Sequence, residues 1–391
     1  MKTLYLHIGA GKTGSSALQV WLHQNSAELL KHGIFYPTEN REIKDDYTIT
    51  SGNGVTAVKS IKSEAGEIYL GNLISKTDKN ILLSSESFQT LSTQEVEKIK
   101  KFGEKNSIKI TPIIYLRDIY DVIHSGYSQL IKRHGLFIGF QEYAKRISSI
   151  QQISVLELWS SIFEDIKVIH YDTNKLNLDK SLLFAIEVNS KEFPPLKPKK
   201  VNRSLTIEEL DTLRAVNRAL VEGDIKNIDK LDTIISNEII SVNPEKETEI
   251  IFSEEIFRIF KENYSSKIIA INKKYFNGNN VLQLFRREGK NILLQKENAQ
   301  ETISLVLNLL IKEVTKNPER YIKQSLEQQK SDVAISGRVV DIIRDEAIRR
   351  EKENIQESIS LMQAAHILRP TGEFIKSKLA KYKNLYNKDK R

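Results

Sequence analysis

The sequence predicts an α/β protein: a three-layer parallel sheet with helices on both faces, followed by a helical C-terminal appendage. Three observations predict it. Short apolar runs at Leu4 to Ile8, Ile81 to Ser84, Ile110 to Leu116 and Ile166 to Ile169 alternate with stretches of helical period, the pattern of parallel strands joined by crossover helices. The runs are rich in β-branched residues and apolar throughout, as strands buried on both faces must be. The first run leads straight into a glycine-rich turn and the start of a helix, through Gly9-Ala10-Gly11-Lys12-Thr13-Gly14-Ser15-Ser16.

That turn has the composition of a phosphate cradle. Glycines let the backbone approach an anion, helix N-terminal amides point at it, and Lys12 with the hydroxyls of Thr13, Ser15 and Ser16 completes the cage. A helix over Gly14 to His32 follows, then Gly33-Ile34-Phe35-Tyr36-Pro37. Residues 38 to 65 are polar and weakly periodic, and read as a long insertion or a substrate-side loop. The run Ile81 to Ser84 continues into Ser85-Glu86-Ser87, which sets a carboxylate at the same sheet edge as the cradle; a helix over Thr93 to Asn106 comes next.

Ile110 to Arg117 reads as a central strand ending in a cation. The helix expected over Ile119 to Arg133 carries Ser125 eight residues beyond Arg117. Strand ends and the helices after them face one crevice in open α/β sheets, so Arg117 and Ser125 can grip one phosphate, the guanidinium bidentately and the hydroxyl as donor. The competing reading pairs Arg117 with Asp118 or Asp121 and leaves Ser125 an ordinary helix-face residue. A helix over Ile153 to Phe163 and the run Ile166 to Ile169 follow.

After Pro194-Pro195-Leu196-Lys197-Pro198 the chain becomes almost wholly helical, with amphipathic stretches at Thr206 to Val221, Ser253 to Asn263 and Asn298 to Val314, and two or three helices over Val333 to Tyr386. Glu357 to Pro370 is similar to a tetratricopeptide hairpin, yet no second copy follows at a period of about 34 residues. This end of the chain reads as helices packing on the core or on a partner, or as a plain helical hairpin.

Composition sets outer limits. The chain has 391 residues, 40% of them apolar, enough for one sizeable core and a smaller second unit. The formal charge of +8 suits anionic ligands, acidic glycans or a membrane surface. Nucleic acid is disfavoured, because the basic residues are spread along the chain without clustered aromatics. The absence of cysteine excludes disulfides, thiolate metal sites and cysteine nucleophiles. No stretch approaches the roughly 20 apolar residues of a membrane span, so a cytoplasmic protein without a transmembrane segment is expected.

The cradle does not have the spacing of nucleotide hydrolases, whose first glycine would fall at Leu6. Lys12-Thr13-Gly14-Ser15-Ser16 after a strand instead resembles the Lys-Ser/Thr-Gly-Thr/Ser-Thr/Ser loop with which sulfotransferases hold the 5'-phosphosulfate of 3'-phosphoadenosine 5'-phosphosulfate (PAPS). Arg117 at a strand end with Ser125 eight residues on is similar to their 3'-phosphate site. Gly33 to Pro37, the run Ile166 to Asp172 ending in Tyr-Asp, Val201 to Leu205, and the aromatic stretch from Ile271 to Phe285 resemble, in order, further elements of bacterial carbohydrate sulfotransferases. The resemblance covers residues 1 to 290, leaving 291 to 391 as a helical C-terminal region.

The resemblance implies a P-loop NTPase-like sheet, PAPS as donor, 3'-phosphoadenosine 5'-phosphate (PAP) as product and no metal requirement. The acceptor would be a hydroxyl of a glycan or glycolipid, with a peripheral membrane contact compatible with the latter. Lys12 would meet the bridging oxygen, and Gly11, Thr13, Gly14, Ser15 and Ser16 the 5'-phosphate. Arg117 and Ser125 would hold the 3'-phosphate, with Arg203, Lys199 and Lys200 closing over it or over adenine. Glu86 would serve as general base, since carbohydrate enzymes of the family often use glutamate; His7, His124 and His134 are the alternatives, and a helix N-terminal or salt-bridging carboxylate is the other reading of Glu86. Tyr127, Gln129, Lys132 and Arg133 either meet the acceptor or are ordinary helix residues. Two other readings compete: a P-loop kinase or nucleotide hydrolase, with Asp118 as its magnesium-binding carboxylate, and a non-catalytic scaffold keeping a relic cofactor site. Oligomeric state and acceptor identity are open at this level.

Overall fold

A computed structural model describes residues 1–38, 51–196, 204–222, 250–285, 333–352, 354–369 and 371–389, and part of 233–240. Five strands, β1 (Thr3–His7), β2 (Ile34–Phe35), β3 (Asn80–Ser84), β4 (Lys109–Leu116) and β5 (Lys167–His170), form one sheet in the order β2-β3-β1-β4-β5. Every pairing is parallel, with Tyr5 opposite Leu82 on one side and Thr111 on the other. The four strands expected from apolar runs are all present. The short β2 lies inside Gly33 to Pro37, too brief to give a run of its own.

Both faces of the sheet are covered. Tyr5, Leu82, Ile113 and Tyr115 pack with Leu18, Trp21 and Leu22 of α1 (Ser15–Gln24) and with Leu178, Leu182 and Leu183 of α10 (Leu178–Ala185). The alternate residues Leu4, Leu6, Leu83, Ile114 and Leu116 are equally buried and point to the opposite face. There α5 (Thr93–Lys105) and α8 (Gln151–Ile162) pack against β4. A capping box starts α5: the Ser92 hydroxyl accepts from the Glu95 amide, and the Glu95 carboxylate accepts from Ser92 N at 2.7 Å.

Elsewhere the helices depart from expectation. The stretch Gly14 to His32 is two helices, α1 and α2 (Ser26–Lys31), parted at Asn25, whose amide donates to Trp21 O at 2.8 Å. The polar stretch to residue 65 holds α3 (Val55–Lys62), which buries only Ala57, Val58 and Ile61, and α4 (Gly66–Ser75) follows. Three buried residues in eight are too few for periodicity to stand out. The helix expected over Ser253 to Asn263 runs on as α12 (Glu254–Tyr275), with Ile256, Phe260, Tyr264, Ile268 and Ile271 on its buried stripe. Between these lie α6 (Ile119–His134), α7 (Phe140–Lys145), α9 (Tyr171–Asn174) and α11 (Ile207–Glu222).

The chain divides into two units. One comprises Met1–Gln129, Ile138–Ser204 and Glu247–Gln295, the other Leu130–Phe137, Leu205–Lys246 and Lys296–Arg391. Two earlier segments thus group with the C-terminal part. In the second unit α13 (Val333–Arg349), α14 (Ile355–Leu368) and α15 (Glu373–Asp389) share a core of Val340, Ile343, Ala347, Leu361, Met362, Ala365, Ile375, Leu379 and Tyr382. The stretch Asn298 to Val314 lies outside the described residues. No helix among those described is long and apolar enough to cross a membrane.

Topology locates the crevice. From β1 the chain moves to β2 at one side of the sheet, and from β4 it moves to β5 at the other. The connections therefore diverge between the neighbouring strands β1 and β4, the switch point beyond whose carboxyl ends open α/β sheets bind ligands. The ladder continues past β1, with Ala10 N donating to Tyr115 O at 3.2 Å and Tyr115 N to Gly9 O at 2.7 Å. The glycine loop thus leaves the sheet at this point.

Candidate anion site at the β1/β4 switch point

The loop is shaped by two left-handed glycines. Gly14 (φ 74°) is the N-cap of α1, and no side chain caps that helix, so the amides of its first turn face outward without a side-chain acceptor. A Cβ on Gly14 would stand 2.6 Å from Leu178 Cδ1, and one on Gly9 (φ 98°) would run into the Gln89 amide. Thr13 is buried and donates to Ala10 O at 2.5 Å; Ser15 donates to the same carbonyl at 3.4 Å. Those two hydroxyls are thus turned back onto the loop's own backbone, and Ser16 is half-buried. Lys12 is exposed, and its ammonium donates to Gln129 Oε1 at 2.7 Å.

Arg117 follows β4 and is held by its main chain. The buried amide of Gln152, on α8, accepts from Arg117 N at 3.0 Å and donates to Arg117 O at 2.6 Å. The guanidinium then reaches the loop: Nη1 donates to Lys12 O at 3.4 Å. Its carboxylate neighbours stand farther off than hydrogen bonds require, with Asp121 3.6 Å from Nη2 and Asp172 3.5 Å from Nε. Arg117 Nε is buried without a hydrogen-bond partner. The Tyr171 ring lies 5.4 Å from the guanidinium carbon, and its edge is 3.6 Å from where a Gly14 Cβ would sit, so this ring spans from α1 to Arg117. The ion-pair reading of Arg117 is thus partly realised, with Asp121 and not with Asp118.

Ser125 is half-buried on α6. Asp121, Ser125 and Gln129 are spaced one turn apart along α6 and form one stripe. The first touches Arg117 and the last holds the Lys12 ammonium, so Ser125 occupies the intervening position of that stripe.

Glu86 opens the 3-10 turn Glu86–Thr90 behind β3 and is exposed. A Cβ on Gly11 would lie 3.9 Å from its Oε2, so the carboxylate stands beside the loop. The histidines have other surroundings. His7 is buried in β1, with Nδ1 2.8 Å from Ser84 Oγ, and burial lowers its pKa to about 4. His124 is buried with its ring 5.9 Å from that of Phe140, and His134 is exposed at the end of α6.

Behind Arg117 is an internal brace. His170 Nδ1 accepts from Thr173 N, so its Nε2–H donates to Asp118 Oδ1 at 3.0 Å; that oxygen also accepts from Gln283 N at 2.8 Å. Asp172 Oδ2 accepts from Asp118 N at 2.9 Å. Donor atoms of Asp118, His170 and Asp172 lie within 4.8 Å of one another, a span a cation could bridge, but protein hydrogen bonds already engage all three.

The structure therefore sets Glu86 and Arg117 beside the loop Gly11 to Ser16, with Ser125 on the α6 stripe whose neighbours Asp121 and Gln129 reach Arg117 and Lys12. Arg203, Lys199 and Lys200 lie outside the described residues. Tyr127 belongs to the core, its hydroxyl donating to Ile138 O and its ring packed on Phe140 and Tyr143, and Arg133 donates to Asn237. Sequence reading missed the positioning roles of Gln152, Tyr171, Asp172 and Gln129. The visible signals were a glutamine on the apolar stripe of α8 and the Tyr171-Asp172 pair itself. No family model matches the sequence, and no curated protein matches it.

Proposed function

We propose that the protein is a PAPS-dependent sulfotransferase on a P-loop-like sheet, acting on a hydroxyl of a glycan or glycolipid. One observation carries the reading. The guanidinium of Arg117 reaches the carbonyl of Lys12 while a single stripe of α6 touches both cations, so two anion-binding centres flank one crevice. A donor with separate phosphates on the 3' and 5' oxygens of one ribose needs two such centres, whereas ATP, with its phosphates in one chain, needs one. The uncapped start of α1, the Arg117 guanidinium and the half-buried Ser125 hydroxyl are donors of the kind these phosphates need.

Bound there, the donor supplies a sulfuryl group: an acceptor oxygen–sulfur bond forms as the bond from sulfur to phosphate oxygen breaks, PAP leaves, and the acceptor hydroxyl gives up its proton. The Lys12 ammonium is positioned to offset negative charge at the loop, and Gln129 holds it in place. Glu86, beside Gly11, can take the acceptor proton. Gln152 and Tyr171 fix the backbone and guanidinium of Arg117 and pre-organise the second centre.

The test is binding of PAP beside ATP. The wild type is expected to prefer PAP, and Arg117→Ala to lose about 10-fold or more in PAP affinity with little change for ATP, the scale of one charged hydrogen bond. Added magnesium should leave the preference unchanged. Equal affinity for both nucleotides would favour the kinase reading, and no affinity for either would favour the scaffold. Within the sulfotransferase reading, Glu86→Gln lowers turnover by about 100-fold or more while PAP affinity holds.

A further inference from the structure

Large apolar side chains scattered singly on a surface need no explanation. Leu176 and Phe184 are a different case, because one stands just before a short helix and the other near its end, and they are 78% and 84% exposed. The inner side of α10 is the core side, with Leu182 fully buried beside Leu178 and Leu183. Phe184 stands on its outer side, one turn from the exposed Lys180, and Leu176 with the exposed Lys175 lies just before its first turn. From residue 173 to 186 the only carboxylate is Asp179, which is buried and accepts from Leu196 N at 3.0 Å. The next, Glu187, acts on Tyr5 and Lys109 at the sheet. Neither lysine has an ion-pair partner among the described residues. The outer side of α10 and the residues just before it thus expose two large apolar side chains and two lysines without ion-pair partners among the described residues.

The same helix borders the glycine loop. Leu178, at its first position, would touch any Cβ on Gly14, and Tyr171, seven residues earlier, lies against Arg117. We infer that the outer face of α10 docks on an anionic lipid bilayer, with Leu176 and Phe184 entering the headgroup boundary and Lys175 and Lys180 meeting lipid phosphates. An apolar wedge flanked by lysines is the chemistry of reversible interfacial binding. Docked in this way, the crevice opens beside the lipid surface, and the acceptor is a hydroxyl on a lipid-borne headgroup. That last step rests on the sulfotransferase reading; the docking surface does not.

The experiment is co-sedimentation of the full chain with vesicles of phosphatidylcholine, with and without phosphatidylglycerol, alongside PAP binding on the same preparations. The wild type should sediment with the anionic vesicles and be released by salt. Leu176→Ser/Phe184→Ser and Lys175→Gln/Lys180→Gln should each lower the bound fraction about 10-fold, as expected for losing two apolar or two cationic contacts at an interface, with PAP affinity unchanged. Wild type that stays in the supernatant, or variants that sediment as it does, would overturn the inference. So would a wild-type oligomer that the apolar double variant turns into a monomer, since the face would then belong to a second copy. Vesicle binding without PAP binding would leave the surface standing and remove the sulfotransferase reading alone.

Discussion

His7 shows what the interior asks of a single residue. Fully buried in β1 beside Ser84 and Tyr115, it is held neutral, its pKa lowered by burial to about 4 from the ordinary 6.5. The folded chain therefore binds a proton less readily than the unfolded chain. Stability from this residue is fully present above pH 6.5 and is lost as pH falls toward 4. With about 1.4 kcal/mol per unit, the loss between pH 7 and pH 5 is about 2 kcal/mol. Urea unfolding at the two pH values should show it in wild type, and His7→Gln should flatten the dependence by that amount. An unchanged slope in the variant would mean that another group titrates.

Gln152 makes a parallel case. Its amide makes both hydrogen bonds of the Arg117 main chain, so Gln152→Leu should destabilise the protein by about 1–3 kcal/mol through two unsatisfied backbone groups. It should also weaken PAP while sparing ATP, as a misplaced Arg117 would. A stability loss with both affinities intact would reduce Gln152 to a structural residue.

Among the elements, legibility followed burial. The four longer strands could be read because each is apolar along its whole length, and α5, α6 and α8 because their stripes are long. β2, with two residues, and α3, with three buried side chains, offer too few positions for a period to emerge. The break at Asn25 was hidden because α1 and α2 both carry helix-forming residues; only the side chain's bond to Trp21 O reveals it. Gly14 joins element to site. Its left-handed φ and the closeness of Leu178 leave no room for a side chain. Gly14→Ala should therefore cost at least about 1 kcal/mol, the penalty for the left-handed conformation in an L-residue, and move the start of α1. Thermal unfolding would register the first, and reduced PAP affinity the second.

At the scale of the whole molecule, the site exists because a strand order reverses. Lys12 and Arg117 are 105 residues apart in the chain, yet parallel pairing of β1 with β4 brings them into hydrogen-bond contact. That much could be anticipated, since strand ends share an edge. The supports of Arg117 could not. Gln152 is 35 residues beyond it and Asp172 is 55 beyond it, and both arrive through helix and strand packing that no local pattern records. The same convergence makes a prediction about charge. If two cations and a helix start jointly receive a polyanion, PAP affinity must fall as salt rises, because partly exposed charges are screened over about 10 Å at 0.1 M ionic strength. Lys12→Ala and Arg117→Ala should each lower the wild-type affinity and also reduce its dependence on salt, one centre at a time, as seen by calorimetric titration across a salt series. The remaining basic residues of this +8 chain would then be shown to add little. Variants that keep the full wild-type slope would mean that the chain's overall charge, and not the crevice between β1 and β4, draws the ligand.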